Sequence, residues 1–131
     1  MRTVAIVNQK GGCGKTTTSI NLSATLAARG HRTLLVDLDP QSHCAAGLGV
    51  PEDRIEHGIA EALVAERDAR LARLLDRLVD RFDWCIIDCP PTIGLLTFNA
   101  LRAADEALVP VETGYFALKG SERQVATIEA M

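Results

Sequence analysis

Thr3-Val4-Ala5-Ile6-Val7-Asn8-Gln9-Lys10-Gly11-Gly12-Cys13-Gly14-Lys15-Thr16-Thr17-Thr18 carries an apolar run into a glycine-rich turn and then into a helical pattern. Strand, glycine loop and helix stand in the order that a phosphate site requires. Glycines let successive backbone N–H groups turn inward, and a helix opening near Gly14 adds its unsatisfied donors and the positive end of its dipole. Lys15, after the last glycine, is placed to act as a point charge on the β- and γ-phosphates of a nucleoside triphosphate, and the hydroxyl of Thr16 to ligate Mg²⁺. Eleven of the fourteen basic residues are arginine, yet two of the three lysines fall at 10 and 15. A compact ammonium rather than a planar fork is wanted there.

With 131 residues, 47% of them hydrophobic, the chain has material for one core and therefore for a single domain, 1–131. No uninterrupted apolar stretch is long enough to span a bilayer, and Met1-Arg2 leads directly into the first strand without a signal-peptide layout. A cytoplasmic protein without membrane attachment is expected. Cys13, Cys44, Cys85 and Cys89 form no C-x-x-C pair, so they read as small buried or loop thiols rather than as disulfide or cluster ligands. A formal charge of −3 gives no general footprint for nucleic acid.

Beyond the loop, Ile20, Leu22, Leu26 and Ala27 predict a sheet-packing helix that stops at Gly30. Thr33-Leu34-Leu35-Val36 ending in Asp37, and Trp84-Cys85-Ile86-Ile87 ending in Asp88, read as strands buried on both faces of a parallel sheet. The polar, Gly- and Pro-containing interval from Pro40 to Gly58 reads as a loop. Two helical stretches follow, the second with an apolar stripe of Leu71, Leu74, Leu75, Leu78, Val79 and Phe82. A helix over Leu95 to Arg102 and a fourth strand over Ala107 to Val111 come next. Ser121-Glu122-Arg123-Gln124 has the form of a capping box opening a last helix with Val125, Ile128 and Met131. Strands alternating with helices give a doubly wound α/β fold with a mostly parallel sheet.

Asp37-Leu38-Asp39-Pro40-Gln41 places two carboxylates at a strand end, the side on which α/β sheets hold ligands. Asp88 closes a second strand in the position of a metal-binding acid. The glycine loop itself departs from G-x-x-x-x-G-K-[ST], having Gln9 where the first glycine belongs and a second lysine at 10. Lys10-Gly11-Gly12-Cys13-Gly14-Lys15-Thr16-Thr17 resembles the deviant Walker A box of the ParA/MinD ATPase superfamily. Asp37-Leu38-Asp39-Pro40-Gln41, Ile87-Asp88-Cys89-Pro90-Pro91 and Tyr115-Phe116-Ala117-Leu118-Lys119-Gly120 are similar, in order and style, to the ParA/Soj partition ATPases.

This resemblance implies a P-loop fold and an ATP- and Mg²⁺-dependent switch that hydrolyses ATP slowly in chromosome or plasmid segregation. It implies that Gly11, Gly12, Cys13, Gly14, Lys15, Thr16 and Thr17 bind nucleotide and that Thr16 and Asp88 hold Mg²⁺. Asp39 is then the residue that positions or activates water, and Lys10 the signature lysine that reaches the partner subunit's nucleotide in an ATP-dependent homodimer. A centromere-binding ParB-like protein and non-specific DNA are the implied partners, with nucleoid association where DNA binding is retained.

Ser42-His43-Cys44 stands where such proteins usually have Gly-Asn after Asp-Pro-Gln, and the interval from Asp39 to Asp88 is shorter than theirs. The domain is therefore expected to be shortened between 51 and 82, and incomplete at its C-terminal end. Two other functions stay open on the residues. One is an iron–sulfur carrier P-loop ATPase, encouraged by Cys89 beside Asp88; the other is a truncated, non-catalytic paralogue.

Overall fold

Four apolar segments become strands in the computed structural model: β1 (Arg2–Ile6), β2 (Thr33–Asp37), β3 (Trp84–Asp88) and β4 (Glu106–Leu108). The structure describes residues 1–55, 59 and 70–130, and at 115 and 116 the backbone alone. Among the described residues all three strand pairings are parallel and the order across the sheet is β2-β3-β1-β4. β1 and β3 are thus neighbours although they are far apart in sequence, and Ile6 is paired in register with Asp88. On the other side of β3, Asp37 is also the register partner of Asp88. This topology alone brings the glycine loop and both strand-end acids to one place.

Alternation sends the strand side chains to two cores. Val4, Ile6 and Ile86 face α1 (Lys15–Ala28), where Leu22 and Leu26 cover them. Ala5, Val7, Val36, Leu38, Cys85 and Ile87 point the other way, against Leu71 and Leu75 of α3 (Arg70–Asp76) and Ala100 of α4 (Leu95–Ala103). The buried residues of α1 are Lys15, Ser19 and Ser23, spaced by four, while Ala27 is exposed. Small hydroxyl residues thus line the sheet-facing ridge, and the leucines fill in beside them.

Several element boundaries differ from the sequence reading. Within the expected loop after Pro40, His43–Gly47 forms a short helix, α2, and Glu52–Arg54 a 3₁₀ turn. The apolar stripe after Leu71 leaves the helical state at Asp76, and Val79 is 41% exposed rather than packed. The helical stretch expected before it falls, apart from Ile59, outside the described residues, as do parts of the interval expected to be shortened. β4 ends at Leu108, before Pro110, whose ring cannot donate to a ladder. The last helix, α5 (Tyr115–Glu129), begins six residues ahead of the supposed capping box. Ser121 is interior to it and its Oγ donates to the Leu118 carbonyl at 2.7 Å, the local back-bond that hydroxyl residues make inside helices. Val125 is 42% exposed, Ile128 packs on the core, and Met131 is outside the described residues.

The entrances of β2 and β3 are tied by Arg32 and Asp83. The Asp83 carboxylate accepts from the Arg32 backbone N–H and guanidinium, both at 2.8 Å, and the Asp83 N–H donates to the Arg32 carbonyl at 2.7 Å. These bonds hold the Asp83 carboxyl down at about 2. A folded value below the ordinary unfolded one means that protonation favours unfolding. The stabilisation is therefore complete above about pH 4 and is lost as pH falls towards 2. Asp83→Asn is expected to have a urea midpoint that changes less than wild type across this window, the two curves converging at the acid end.

Ser42, just ahead of α2, is the one described non-glycine residue with positive φ, at 51°. The left-handed conformation crowds a Cβ against the carbonyl and costs an L-residue about 1–2 kcal/mol, against about 0.5–1 kcal/mol of extra unfolded-state freedom for glycine. Ser42→Gly is expected to stabilise the fold by about 0.5 kcal/mol and Ser42→Val to destabilise it, measured as shifts of the urea midpoint.

Candidate functional site

Gly14 is the N-cap of α1, at φ 86°, and no side chain caps the helix. Gly12 is also left-handed, at φ 72°. No neighbouring atom lies within 4 Å of a Cβ added at Gly11, Gly12 or Gly14, so backbone conformation rather than crowding calls for glycine at 12 and 14. The N–H groups of the first turn are left without a side-chain acceptor at the positive end of the helix. Such an end is a ready anion site.

Lys15 opens that turn and is 7% exposed. Its Nζ donates to the Lys10 carbonyl at 3.0 Å and lies 3.8 Å from Cys13 Sγ, so the ammonium closes back over the loop that it follows. Thr16 Oγ1 donates to Asp88 Oδ2 at 2.7 Å. Ser19 Oγ lies 2.9 Å from both the Lys15 carbonyl and Asp88 Oδ1, its single proton shared between them. One buried carboxylate at the end of β3 thus fastens the first two turns of α1 to the sheet.

Sequence reasoning missed Ser19. The available signal was its position four residues after Lys15, on the same face of the helix. It also missed which of the paired acids joins Asp88. Asp37, not Asp39, faces it: Asp37 Oδ1 accepts from the Asp39 N–H at 3.0 Å and Oδ2 from the Cys44 N–H at 3.1 Å. Burial raises the Asp37 carboxyl above the usual carboxylate range, with the Asp88 charge adding to the effect against these bonds. Asp39 is half-buried, and its Oδ1 accepts from the Gln41 N–H at 3.0 Å, shaping the turn. It lines a separate cleft of about 360 Å³ with Pro40, Pro90, Pro91 and Thr92.

Cys44 enters the cluster from α2, its thiol donating to Asp88 Oδ2 at 3.3 Å. Burial and the two carboxylates push this thiol well above the ordinary thiol range. Cys89 is 1% exposed, its thiol directed at the Ile87 carbonyl, and burial pushes it up to about 12. A thiol so placed is a core residue, which leaves the iron–sulfur reading without its encouragement.

The Lys10 side chain pairs outside the loop. Its side chain is 58% exposed and Nζ contacts Glu112 at 2.5 Å, a hydrogen bond and charge that raise its pKa. Thr17 is exposed, and its carbonyl accepts from Asn21 Nδ2 at 2.9 Å. The structure therefore assembles Gly12, Cys13, Gly14, Lys15, Thr16 and Asp88, and leaves Lys10, Thr17 and Asp39 at the rim.

The donor set fits a hard divalent cation: the Thr16 hydroxyl and the Asp88 carboxylate are adjacent oxygens beside the anion-binding turn, and Asp37 supplies a further carboxylate. A cavity of about 670 Å³ between α4, β4 and α5 lies at the opposite, N-terminal end of the strands. Position relative to strand ends, rather than volume, identifies the site. Among the described residues no helix is long and apolar enough to cross a membrane.

A family model described as an AAA domain matches residues 1–70 and 63–131. The chain is 42% identical to the chromosome partitioning protein ParA of Myxococcus xanthus over an alignment covering 98% of this chain and 58% of that protein. It is 38% identical to the sporulation initiation inhibitor protein Soj of Bacillus subtilis, covering 95% of this chain and 64% of that one. Cobyrinic acid a,c-diamide synthase from Mycobacterium smegmatis, solved with ADP and magnesium, superposes with a TM-score of 0.87 at 33% identity. That superposition covers 99% of this chain and 67% of the synthase. The chain thus spans about six-tenths of the length of the curated relatives it matches. With the deviant loop, the strand order and the acid at the end of β3 in place, the chain belongs to the AAA-domain P-loop family that includes the ParA/Soj partition proteins.

Proposed function

We propose that this chain binds ATP with Mg²⁺ and hydrolyses it slowly, as a ParA/Soj-type switch in chromosome or plasmid segregation. The observation that carries the reading is the fastening of α1 to β3: Thr16 Oγ1 at 2.7 Å and Ser19 Oγ at 2.9 Å from the Asp88 carboxylate, directly behind an uncapped helix start. Lys15 then neutralises phosphate charge, the first-turn N–H groups cradle it, and Thr16 and Asp88 hold the cation. Bound Mg²⁺ would offset charge on the phosphates. ADP with magnesium in the M. smegmatis synthase supports the cofactor assignment.

Asp39 lies at the rim with its second carboxylate oxygen available to orient water, and Lys10 is exposed where a second subunit could be met. In this reading ATP closes a homodimer in which Lys10 exchanges Glu112 for the partner's phosphates. A ParB-like protein stimulates hydrolysis, non-specific DNA binds the dimer, and the protein is cytoplasmic and nucleoid-associated. The alignment with the M. xanthus protein runs over 164 positions for 98% of a 131-residue chain, which supports a domain shortened between 51 and 82.

Calorimetric titration of the protein with ATP, with and without Mg²⁺ and with GTP as comparator, tests the proposal. Saturable, Mg²⁺-dependent ATP binding is the expected result. A folded sample that takes up no nucleotide overturns it.

A further inference from the structure

Gln124 is a polar residue on the sheet-facing side of α5. It is 6% exposed, and among the described residues its side-chain amide makes no hydrogen bond. A buried amide without a protein partner is costly and calls for one from outside the chain. Gln124 lines a cleft of about 420 Å³ whose opposite wall is the glycine loop, with Lys10 and Cys13 common to cleft and loop. A cleft of that size with a few convergent polar groups has ligand dimensions.

The helix wall of the cleft is smooth. Ala117, Gly120, Ser121 and Gln124 line it from one face of α5. Gly120 weakens a helix interior, yet its φ is not left-handed and a Cβ added there meets nothing within 4 Å. Neither backbone conformation nor protein packing calls for glycine, whereas a flat molecule lying on this wall does. Ser121 Oγ has its proton committed to the Leu118 carbonyl, so towards the cleft it only accepts. A donor and two acceptors thus stand at the end of a flat surface, the complement of a planar ring with a polar edge.

We infer that this cleft holds a purine base of the adenine class, read by the Gln124 amide. Adenine presents an amino donor beside a ring-nitrogen acceptor, which a glutamine amide meets with two parallel hydrogen bonds. Guanine presents two acceptors on the same edge, so its oxygen would face the amide oxygen. Two sources of the ring share this chemistry. One is the base of a nucleotide whose phosphates sit at the loop, which rests on the function proposed above; the other is a free nucleoside, which does not.

Calorimetric titrations of wild type and Gln124→Leu with Mg·ATP, Mg·GTP, Mg·tripolyphosphate and adenosine test this. Leucine keeps the helix and removes both polar atoms of the amide. Wild type is expected to prefer ATP over GTP by at least about tenfold, the scale of one bidentate contact, and Gln124→Leu to erase that preference while holding tripolyphosphate as wild type does. Adenosine is expected to bind wild type and not Gln124→Leu. Its displacement by ATP assigns the cleft to the base of the loop's own nucleotide, and its retention under saturating ATP assigns it to a separate nucleoside. Gly120→Leu, which favours the helix and projects into the cleft, should cause the same losses and decides the matter if Gln124→Leu fails to fold. Loss of either the ATP preference or adenosine binding sustains the inference; if the substitution changes neither, it is overturned. Failure of the nucleotide reading looks different: neither ATP nor tripolyphosphate binds, and the adenosine titration alone then decides the cleft.

Discussion

Lys15→Ala is expected to weaken Mg·ATP binding by about 10²–10³-fold while leaving the fold in place. A buried charge-assisted hydrogen bond contributes about 1.5–3 kcal/mol, and loss of one member of a buried charge pair costs about 3–5 kcal/mol. At 1.4 kcal/mol per tenfold, the middle of that span gives two to three decades. Structurally the loss is milder, since the one protein hydrogen bond from an ammonium to backbone that Lys15 makes is to the Lys10 carbonyl in an exposed loop segment. Calorimetry reads the affinity and far-ultraviolet circular dichroism the fold. Lys15→Arg is expected to rescue little, because a planar fork does not replace a compact ammonium in a closed turn. Equal ATP affinity in Lys15→Ala and wild type would remove Lys15 from the phosphate site.

The second large effect concerns stability. Ile87 is fully buried on β3, a strand paired on both sides, and its side chain lies in the core of Val36, Leu38, Leu71 and Leu75. Ile87→Ala is expected to cost about 2–5 kcal/mol from lost burial and the cavity left behind. For a domain of this size that lowers Tm by roughly 10 °C. Ile86, next in sequence and also fully buried, points into the opposite core beneath α1. Ile86→Ala is expected to cost a similar amount and, in addition, to weaken ATP binding, because it loosens the helix that carries Lys15 and Thr16. Thermal melts with and without Mg·ATP separate the two: the ligand-induced rise in Tm should shrink more in Ile86→Ala. Identical rises would show that support beneath α1 does not reach the loop.

The glycine loop and the strand-end acids were legible because their reasons are local. Glycine is demanded by φ at 12 and 14, and buried parallel strands are short apolar runs ended by a polar residue. What escaped was decided by register. Asp37 and Asp39 look equivalent in sequence, and only the pairing of β2 with β3 turns Asp37 towards Asp88 and leaves Asp39 in a turn. Cys44 escaped for the same reason, since α2 hides in a stretch rich in glycine, proline and polar residues and reaches the cluster only through packing. The late helix was misplaced by a competing local signal. Ser121 and Gln124 have capping-box spacing, yet α5 runs through Gly120, which costs about 0.5–1 kcal/mol relative to alanine inside a helix and is tolerated here.

Ser19 has a consequence for energetics. It joins the carbonyl of the residue assigned to phosphate to the carboxylate assigned to the cation, so the two halves of the site are locked together before either ligand arrives. The entropy of aligning them is spent during folding and not again on association, which makes the pocket preorganised. Affinity and fold stability are then linked quantities. Evolution or design acting on the packing of β3 alone would tune how tightly the loop holds its ligand, without altering a residue that touches it.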